Sequence, residues 1–264
     1  MKPCADLDYR IVIPSRKRSK NVRRARAILP TATWYVNEEE LDDYAPLVPP
    51  DLLVSHTAPA GYAHAMNAMN KDFAEDTLAI VDDDIIGVEI MADGERMVAI
   101  SPLEVLNYIE NMARTLQALD LWWGNCGYLP TKFILGQDDN VTRPFQSVGI
   151  MAGGLRMARA GARQIPYYPD GGREDVDYFL EVLRQGRAML YDNRVLIKYE
   201  VVSGGEGGVT GTVSGDDVAE GERRLAEKWG QAIYFERSGI GKAIGSSGRS
   251  CRINVRRRNG RMRA

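Results

Sequence analysis

Residues 78 to 85 read LAIVDDDI, an apolar run of strand length that delivers Asp82, Asp83 and Asp84 in succession. Three adjacent carboxylates repel one another, and a divalent cation relieves that repulsion. On an extended backbone Asp82 and Asp84 face the same way, which makes these two the expected metal ligands, with Asp83 beside them on the donor side. Oxygen ligands of this kind suit Mg²⁺ or Mn²⁺ and the phosphates that accompany them. An acidic turn after a buried strand would read the same way.

Two further blocks carry chemistry. Residues 13 to 19, IPSRKRS, close an apolar run with a proline, a serine and three cations. Backbone amides at the start of a following helix, with Ser15, Arg16 and Arg18, would hold a phosphate or the polar edge of a nucleobase. A solvated basic turn with Ser19 as helix cap is the alternative. Residues 171 to 186, GGREDVDYFLEVLRQG, place Arg173 before an amphipathic helix opened by Glu174, Asp175 and Asp177. Acids in a first helical turn complement the helix dipole; one held beside a phosphate and metal site would instead serve as general base toward a hydroxyl.

The elements that must position these groups alternate through the first half. Residues 10 to 14, 33 to 37, 52 to 56 and 78 to 81 read as strands, and 19 to 29 and 60 to 71 as helices. That alternation predicts a mostly parallel, Rossmann-like sheet flanked by helices, with ligands beyond the carboxyl ends of its strands. Further on, residues 102 to 118 and 174 to 185 read as helices and 147 to 152 as a strand. Residues 189 to 201 read as one or two strands, and 217 to 235 as a last helix. The stretch 203 to 215, SGGEGGVTGTVSG, reads as a mobile loop. The simplest domain count is one catalytic domain over 1 to 235, followed by a basic, flexible tail over 236 to 264.

Composition narrows the classes. The 264 residues are 44% hydrophobic and 27% charged, which is globular. Three cysteines, Cys4, Cys126 and Cys251, lack metal-ligand spacing and form no disulfide framework, which fits a reducing cytoplasm. No apolar stretch approaches the roughly eighteen residues of a membrane helix. With only His56 and His64, a Ser-His-Asp hydrolase or a His-rich metal site has little to work with. Charge is segregated. Residues 16 to 26 and 249 to 264 carry seven basic residues each and no acid, leaving 20 basic against 36 acidic residues elsewhere. Such asymmetry points to an anionic partner, or to a solvated helix face and a disordered tail.

The three blocks in this order resemble a metal-dependent glycosyltransferase of the A-type fold, over roughly residues 10 to 200. The resemblance implies that Pro14, Ser15, Arg16 and Arg18 contact the nucleotide, that Asp82 and Asp84 hold Mn²⁺ or Mg²⁺, and that Asp175, beside Glu174, is the base of an inverting transfer. It also implies that His64 and Asn67, in GYAHAMNAMN, face the base and sugar, against the alternative of plain helix surface. Gly153 and Gly154, in SVGIMAGGLRM, would approach the donor sugar. Many members complete the metal site with a histidine in the C-terminal half. This chain has none after His64, so water and diphosphate oxygens, or Glu206, would take that place.

Within that fold the wording IPSRKRS, DDD and GREDVDYFL is similar to the glycosyltransferases associated with TET/JBP-type oxygenases of phages and kinetoplastids. The implied reaction moves a hexose, glucose foremost, from a UDP-sugar to a hydroxymethylated pyrimidine in DNA. The arginine clusters would bind phosphate backbones without reading sequence. Trp122, Trp123, Tyr128 and Phe145 would stack on an extruded base or pack in the core. Three other readings stay open: a glycosyltransferase acting on a glycan, protein or small molecule; a nucleotidyltransferase, although IPSRKRS has no glycine for a pyrophosphate loop; and a non-catalytic nucleic-acid module.

Overall fold

A strand that is apolar on both sides must be covered on both sides. The computed structural model describes residues 7–92, 96–127, 145–146, 154–168, 174–185, 188–200, 215–230, 233–237, 249–253, 257–258 and 261–262. Strands β1 (Tyr9–Ser15), β2 (Thr33–Asn37), β3 (Leu53–His56) and β4 (Thr77–Val81) run parallel in the order β3-β2-β1-β4. Between them lie α1 (Val22–Ile28), the single turn α2 (Leu41–Tyr44) and α3 (Tyr62–Asp72). The chain leaves β1 toward β2 on one side and reaches β4 on the other. That topological switch opens a crevice at the carboxyl ends of β1 and β4.

Beyond β4 the sheet is mixed. After β5 (Ile85–Ala92), β6 (Arg96–Ala99) and α4 (Pro102–Ala118) come β7 (Trp123–Gly127) and the short β8 (Phe145–Gln146), which pairs with β10. Strand β9 (Leu155–Arg159) lies antiparallel between β4 and β7, α5 (Ala160–Arg163) and α6 (Glu174–Arg184) follow it, and β10 (Met189–Tyr199) runs parallel to β7 and antiparallel to β5. The expectation of parallel strands thus holds where strand and helix alternate one for one, over β1 to β4.

Residue alternation sorts the core into two layers. Ile11, Ile13, Ala79 and Val81 pack with Val22 and Ala25 of α1 and Ile109, Met112 and Leu116 of α4. Val12, Leu78 and Ile80 pack with Met66 and Met69 of α3 and Val176, Phe179 and Leu180 of α6. Trp123 belongs to this second layer and is fully buried, so of the candidate base-stacking aromatics it is a core residue. Trp122 packs at its margin, while the side chains of Tyr128 and Phe145 lie outside the described residues. Cys126 is a buried free thiol.

The last helix, α7 (Gly215–Trp229), stops six residues short of the expected Phe235. Gly230 follows it with φ +52°, the left-handed conformation that closes a helix, and the sequence pair Trp229-Gly230 already carried that stop signal. Residues Ile233–Arg237 instead form β11, antiparallel to β12 (Arg249–Ile253), and β13 (Arg257–Arg258) pairs with β14 (Arg261–Met262). The expected strand over 147 to 152 and loop residues 203 to 214 lie outside the described residues. No helix among the described residues is long and apolar enough to cross a membrane.

One glycine is required by the sheet itself. Gly154, just before β9, has φ +82°, and a Cβ there would stand 2.6 Å from the Cys126 carbonyl oxygen of β7. Gly154→Ala therefore combines a strained backbone with a main-chain clash, and urea denaturation is expected to show a loss of about 3 kcal/mol. Gly87→Ala in β5, where a Cβ meets nothing within 4 Å, is the control and should stay within about 1 kcal/mol of wild type.

Candidate active site

The crevice at the switch point holds a cavity of about 230 Å³ whose walls include Pro14, Ser15, Arg16, Arg18, Asp82, Asp83 and Asp84. Two blocks with 63 residues of sequence between Arg18 and Asp82 thus meet on one surface. The parallel register causes this: Val12 lies opposite Ile80, and counting three residues on from each brings Ser15 level with Asp83. Ser15 donates to Asp83 Oδ2 at 2.5 Å, in a buried hydrogen bond, and pairs with Tyr44 Oη at 2.7 Å. Because Tyr44 Oη already accepts from the Arg18 N–H at 3.1 Å, its own proton goes to Ser15, which frees the serine proton for the carboxylate.

The aspartates do not continue the strand. β4 ends at Val81, and Asp82 to Asp84 form the turn that leads into β5, where the Asp84 carbonyl accepts from the Glu200 N–H at 2.9 Å. Alternation along an extended chain therefore does not set their directions; their partners do. Arg156, from the middle of β9 and almost completely buried, pairs with Asp82 Oδ1 and also donates to Tyr62 Oη. The Arg18 guanidinium bridges Asp83 at 3.1 Å and Asp84 at 3.3 Å. Burial raises the Asp84 carboxyl to a pKa of about 6, helped by repulsion from Asp82 and Asp83 and opposed by Arg18. Burial also pushes Asp83 up, against the pull of Ser15 and Arg18.

The loop after β1 offers less to a phosphate than its sequence suggests. Ser19 makes no cap; it opens a short 3-10 turn whose preceding residue, Arg18, makes no side-chain cap either. The Lys17 N–H donates to Glu40 Oε2 at 2.5 Å and the Arg18 N–H to Tyr44, so both amides already have partners. What the loop presents to the cavity is the side chains of Arg16 and Arg18.

On the opposite side stands Tyr62, which opens α3 and lines the cavity. Burial raises its phenol, and the charges of Asp82, Glu174 and Asp175 add to that rise while Arg156 opposes it. All three acids are thus within electrostatic reach of this one half-buried ring. Asp175 accepts from the Val176 N–H at 2.8 Å at the start of α6, and Glu174 also lines a second cavity of about 470 Å³ between α6 and α7. Asp177, the third acid of that helix start, is buried and holds Lys228 and the Trp229 Nε1–H of α7, a packing role.

Other expected contacts sit elsewhere. Asn67 uses its carboxamide to hold the Tyr167 backbone in both directions, donating to its carbonyl at 2.7 Å and accepting from its N–H at 2.8 Å. His64 is half-buried on α3 and is not among the residues lining the cavity. Gly154 serves the close approach to β7, whereas Gly153, Arg173 and Glu206 lie outside the described residues.

Several lining or supporting residues had no sequence signal: Tyr35, His56, Tyr62 and Arg156. Asn125 of β7, level with Arg156, is buried with neither amide atom hydrogen-bonded. An orphaned carboxamide beside a buried arginine is a place for a polar ligand or a bound water. Among the described residues no group of three His, Cys, Asp or Glu forms a metal cage. Asp82 and Asp84 fit a hard cation that draws its remaining ligands from a bound diphosphate and water.

The sheet order and the crevice can be compared with solved structures. A mannosyltransferase from Pyrobaculum calidifontis, in complex with GDP-Man and Mn²⁺, matches with TM-score 0.52 at 17% identity, over 77% of this chain. A glucosyl-3-phosphoglycerate synthase from Mycobacterium tuberculosis, in complex with Mn²⁺, UDP and phosphoglyceric acid, matches with TM-score 0.52 at 11% identity, over 94% of this chain and 87% of its own. The fold is that of the A-type glycosyltransferases. The chain spans only 62% of the mannosyltransferase. No protein-family model matches the sequence, and no curated protein matches it either. At such identities the glycosyltransferase fold is common ground, and residue roles must come from the site.

An acid whose pKa rises on folding holds its proton more tightly in the native state, so stability is lost as pH climbs from about 4 through about 6. Asp84→Asn removes that penalty. With divalent ions chelated, its melting temperature should exceed that of wild type by about 3 °C near neutral pH, and the gap should close in acid.

Proposed function

We propose that the chain is a divalent-metal-dependent glycosyltransferase that moves a hexose, glucose foremost, from a UDP-sugar to the hydroxyl of a hydroxymethylated pyrimidine in DNA, with inversion. The observation that carries the transferase reading is the meeting of Arg16, Arg18 and the three aspartates on one cavity wall, with Asp82, Glu174 and Asp175 gathered around Tyr62. Support comes from the fold as well: the archaeal mannosyltransferase was solved with GDP-Man and Mn²⁺, and the mycobacterial synthase with Mn²⁺ and UDP.

In this reading Asp82 and Asp84 hold Mn²⁺ or Mg²⁺, which when bound neutralises charge on the departing diphosphate. Arg16 and Arg18 flank the same phosphates and stabilise them through charge-assisted hydrogen bonds. Arg156 keeps Asp82 in place, and Asn125 beside it offers a donor and an acceptor to sugar hydroxyls. Asp175 takes the acceptor's hydroxyl proton as oxygen bonds to the anomeric carbon and the bond to the diphosphate breaks. Glu174, one residue earlier, adds negative potential that makes Asp175 more basic.

A second acceptor reading, a small hydroxylated anion, has two observations behind it. The mycobacterial synthase was solved with phosphoglyceric acid. In addition, four of the seven cations in residues 16 to 26 have partners within the chain: Arg16 with Glu40, Arg18 with Asp83 and Asp84, Arg24 with Glu200 and Arg26 with the Leu47 carbonyl.

The deciding experiment incubates the protein with Mn²⁺ and a panel of UDP-sugars, with hydroxymethylated DNA, plain DNA or phosphoglycerate as acceptor, and reads product masses. A hexose added only to hydroxymethylated nucleosides supports the DNA acceptor; hexose on phosphoglycerate alone assigns the second reading; no transfer or UDP-sugar hydrolysis under any condition refutes the transferase. Asp84→Ala and Asp175→Asn, folded by circular dichroism, should each lower turnover by about 10²-fold or more, and chelation of the metal should do the same. Normal turnover in Asp175→Asn would move the base elsewhere, and a retained anomeric configuration would rule out inversion.

A further inference from the structure

The end of the cavity remote from the aspartates is built differently. His56, at the carboxyl end of β3, stacks on Tyr35 of β2 with ring centroids 4.5 Å apart and planes 20° from parallel. Tyr35 is itself fixed, because its hydroxyl donates to Asp72 Oδ2 at 2.6 Å. The backbone of Ala58 is pinned between two side chains. Its N–H donates to His56 Nδ1 at 3.2 Å, and its carbonyl accepts from Asn37 Nδ2 at 3.0 Å. Asn37 in turn accepts the Glu39 N–H at 3.0 Å through Oδ1, so both ends of its carboxamide are anchored inside the fold although it lines the cavity.

These contacts define the state of the imidazole. A ring whose Nδ1 accepts a hydrogen bond carries its proton on Nε2. Burial lowers its pKa, outweighing the opposing charge of Asp72, so the ring is neutral near pH 7. His56 therefore offers one hydrogen-bond donor, Nε2–H, which has no partner among the described residues, on a ring that lines the cavity.

Its distance from the charged end fits a nucleotide. β3 and β4 are three strand spacings apart in the sheet, so His56 lies about 14 Å from the aspartate turn. With phosphates at Arg16, Arg18 and the aspartates, a ribose and base extend along the cavity, and the base edge farthest from the ribose meets the His56 wall. That edge carries an acceptor oxygen in uracil (O4) and guanine (O6) and a donor amino group in cytosine and adenine.

We propose that His56 is the base-reading residue of this cavity: its Nε2–H donates to the keto oxygen of a uridine or guanosine diphosphate and opposes the amino group of cytidine and adenosine diphosphates. The inference rests on the nucleotide-sugar reading above and narrows its donor.

Isothermal titration calorimetry with UDP, GDP, CDP and ADP in the presence of Mn²⁺ tests it without requiring transfer. Wild type should bind UDP or GDP at least about tenfold more tightly than CDP and ADP, the discrimination of one donor facing donor instead of acceptor. His56→Phe keeps a ring on Tyr35 and removes the donor; it should lose about tenfold for the keto nucleotides, bind CDP no more weakly than wild type and erase the preference. His56→Gln, whose amide restores a donor, should recover part of it. Equal binding of CDP or ADP by wild type, or a preference that survives in both folded variants, overturns the assignment of His56 alone. Failure of all four nucleotides to bind defeats the nucleotide-sugar reading, and this inference with it.

Discussion

Three consecutive carboxylates at the end of a buried strand can share one wall only if their repulsion is answered, because charges a few ångströms apart interact strongly where solvent is scarce. Arg156 answers for Asp82, and Arg18 answers for Asp83 and Asp84 together. The middle carboxylate has the least solvent and receives the most contacts, from Ser15 as well as Arg18. The parallel register of β1 and β4 makes that possible. Shift it by one residue and Ser15 no longer meets Asp83, Tyr44 loses its serine, and the loop bearing Arg16 and Arg18 is untied from the aspartate turn.

What could be read from the sequence follows from the range of each interaction. Strand-length apolar runs separated by helical periodicity depend on neighbours within a dozen residues, which is why β2 and α4 begin and end where the residue pattern says. Acidic and basic residues with chemical potential are visible as types. Their partners are not. Arg156 sits in the unremarkable run LRMAR and reaches Asp82 across 74 positions, and Tyr44 joins Ser15 from a single helical turn. The carboxylates of Asp82 and Asp84 are likewise set by distant partners: alternation is a property of an extended strand, and β4 ends at Val81, before the first aspartate. Of the two histidines, the one within a motif-like helix is not among the residues that line the cavity, and the one ending a short strand is.

Basic residues counted along a chain are not the same as positive surface. Within residues 16 to 26, Arg16, Arg18, Arg24 and Arg26 pair with Glu40, Asp83, Asp84, Glu200 and a backbone carbonyl, leaving Lys17, Lys20 and Arg23 as the most exposed cations of that block. A binding term that scales with the number of phosphates neutralised shrinks accordingly. The block's contribution to any hold on an extended nucleic acid backbone is thereby reduced to Lys17, Lys20 and Arg23.

On the proposed reading, the charge balance of the cavity also bears on what accompanies a diphosphate into it. Asp82, Asp83 and Asp84 with Arg18 and Arg156 carry one net negative charge, and Arg16, held loosely by Glu40 at 3.9 Å, adds only one more cation at the rim. A diphosphate brings further negative charge into a half-enclosed space where solvent screening is weak. Arg18 reaches both Asp83 and Asp84 through Nη1, and without that contact the buried Asp83 would rest on Ser15 alone. In the proposed reading, a divalent cation held by Asp82 and Asp84 would offset that charge and let Arg18 keep its contacts to the turn. The far end, where His56 is neutral, has no such conflict, which is consistent with a division of labour in which charge holds the leaving group and one uncharged donor reads the base.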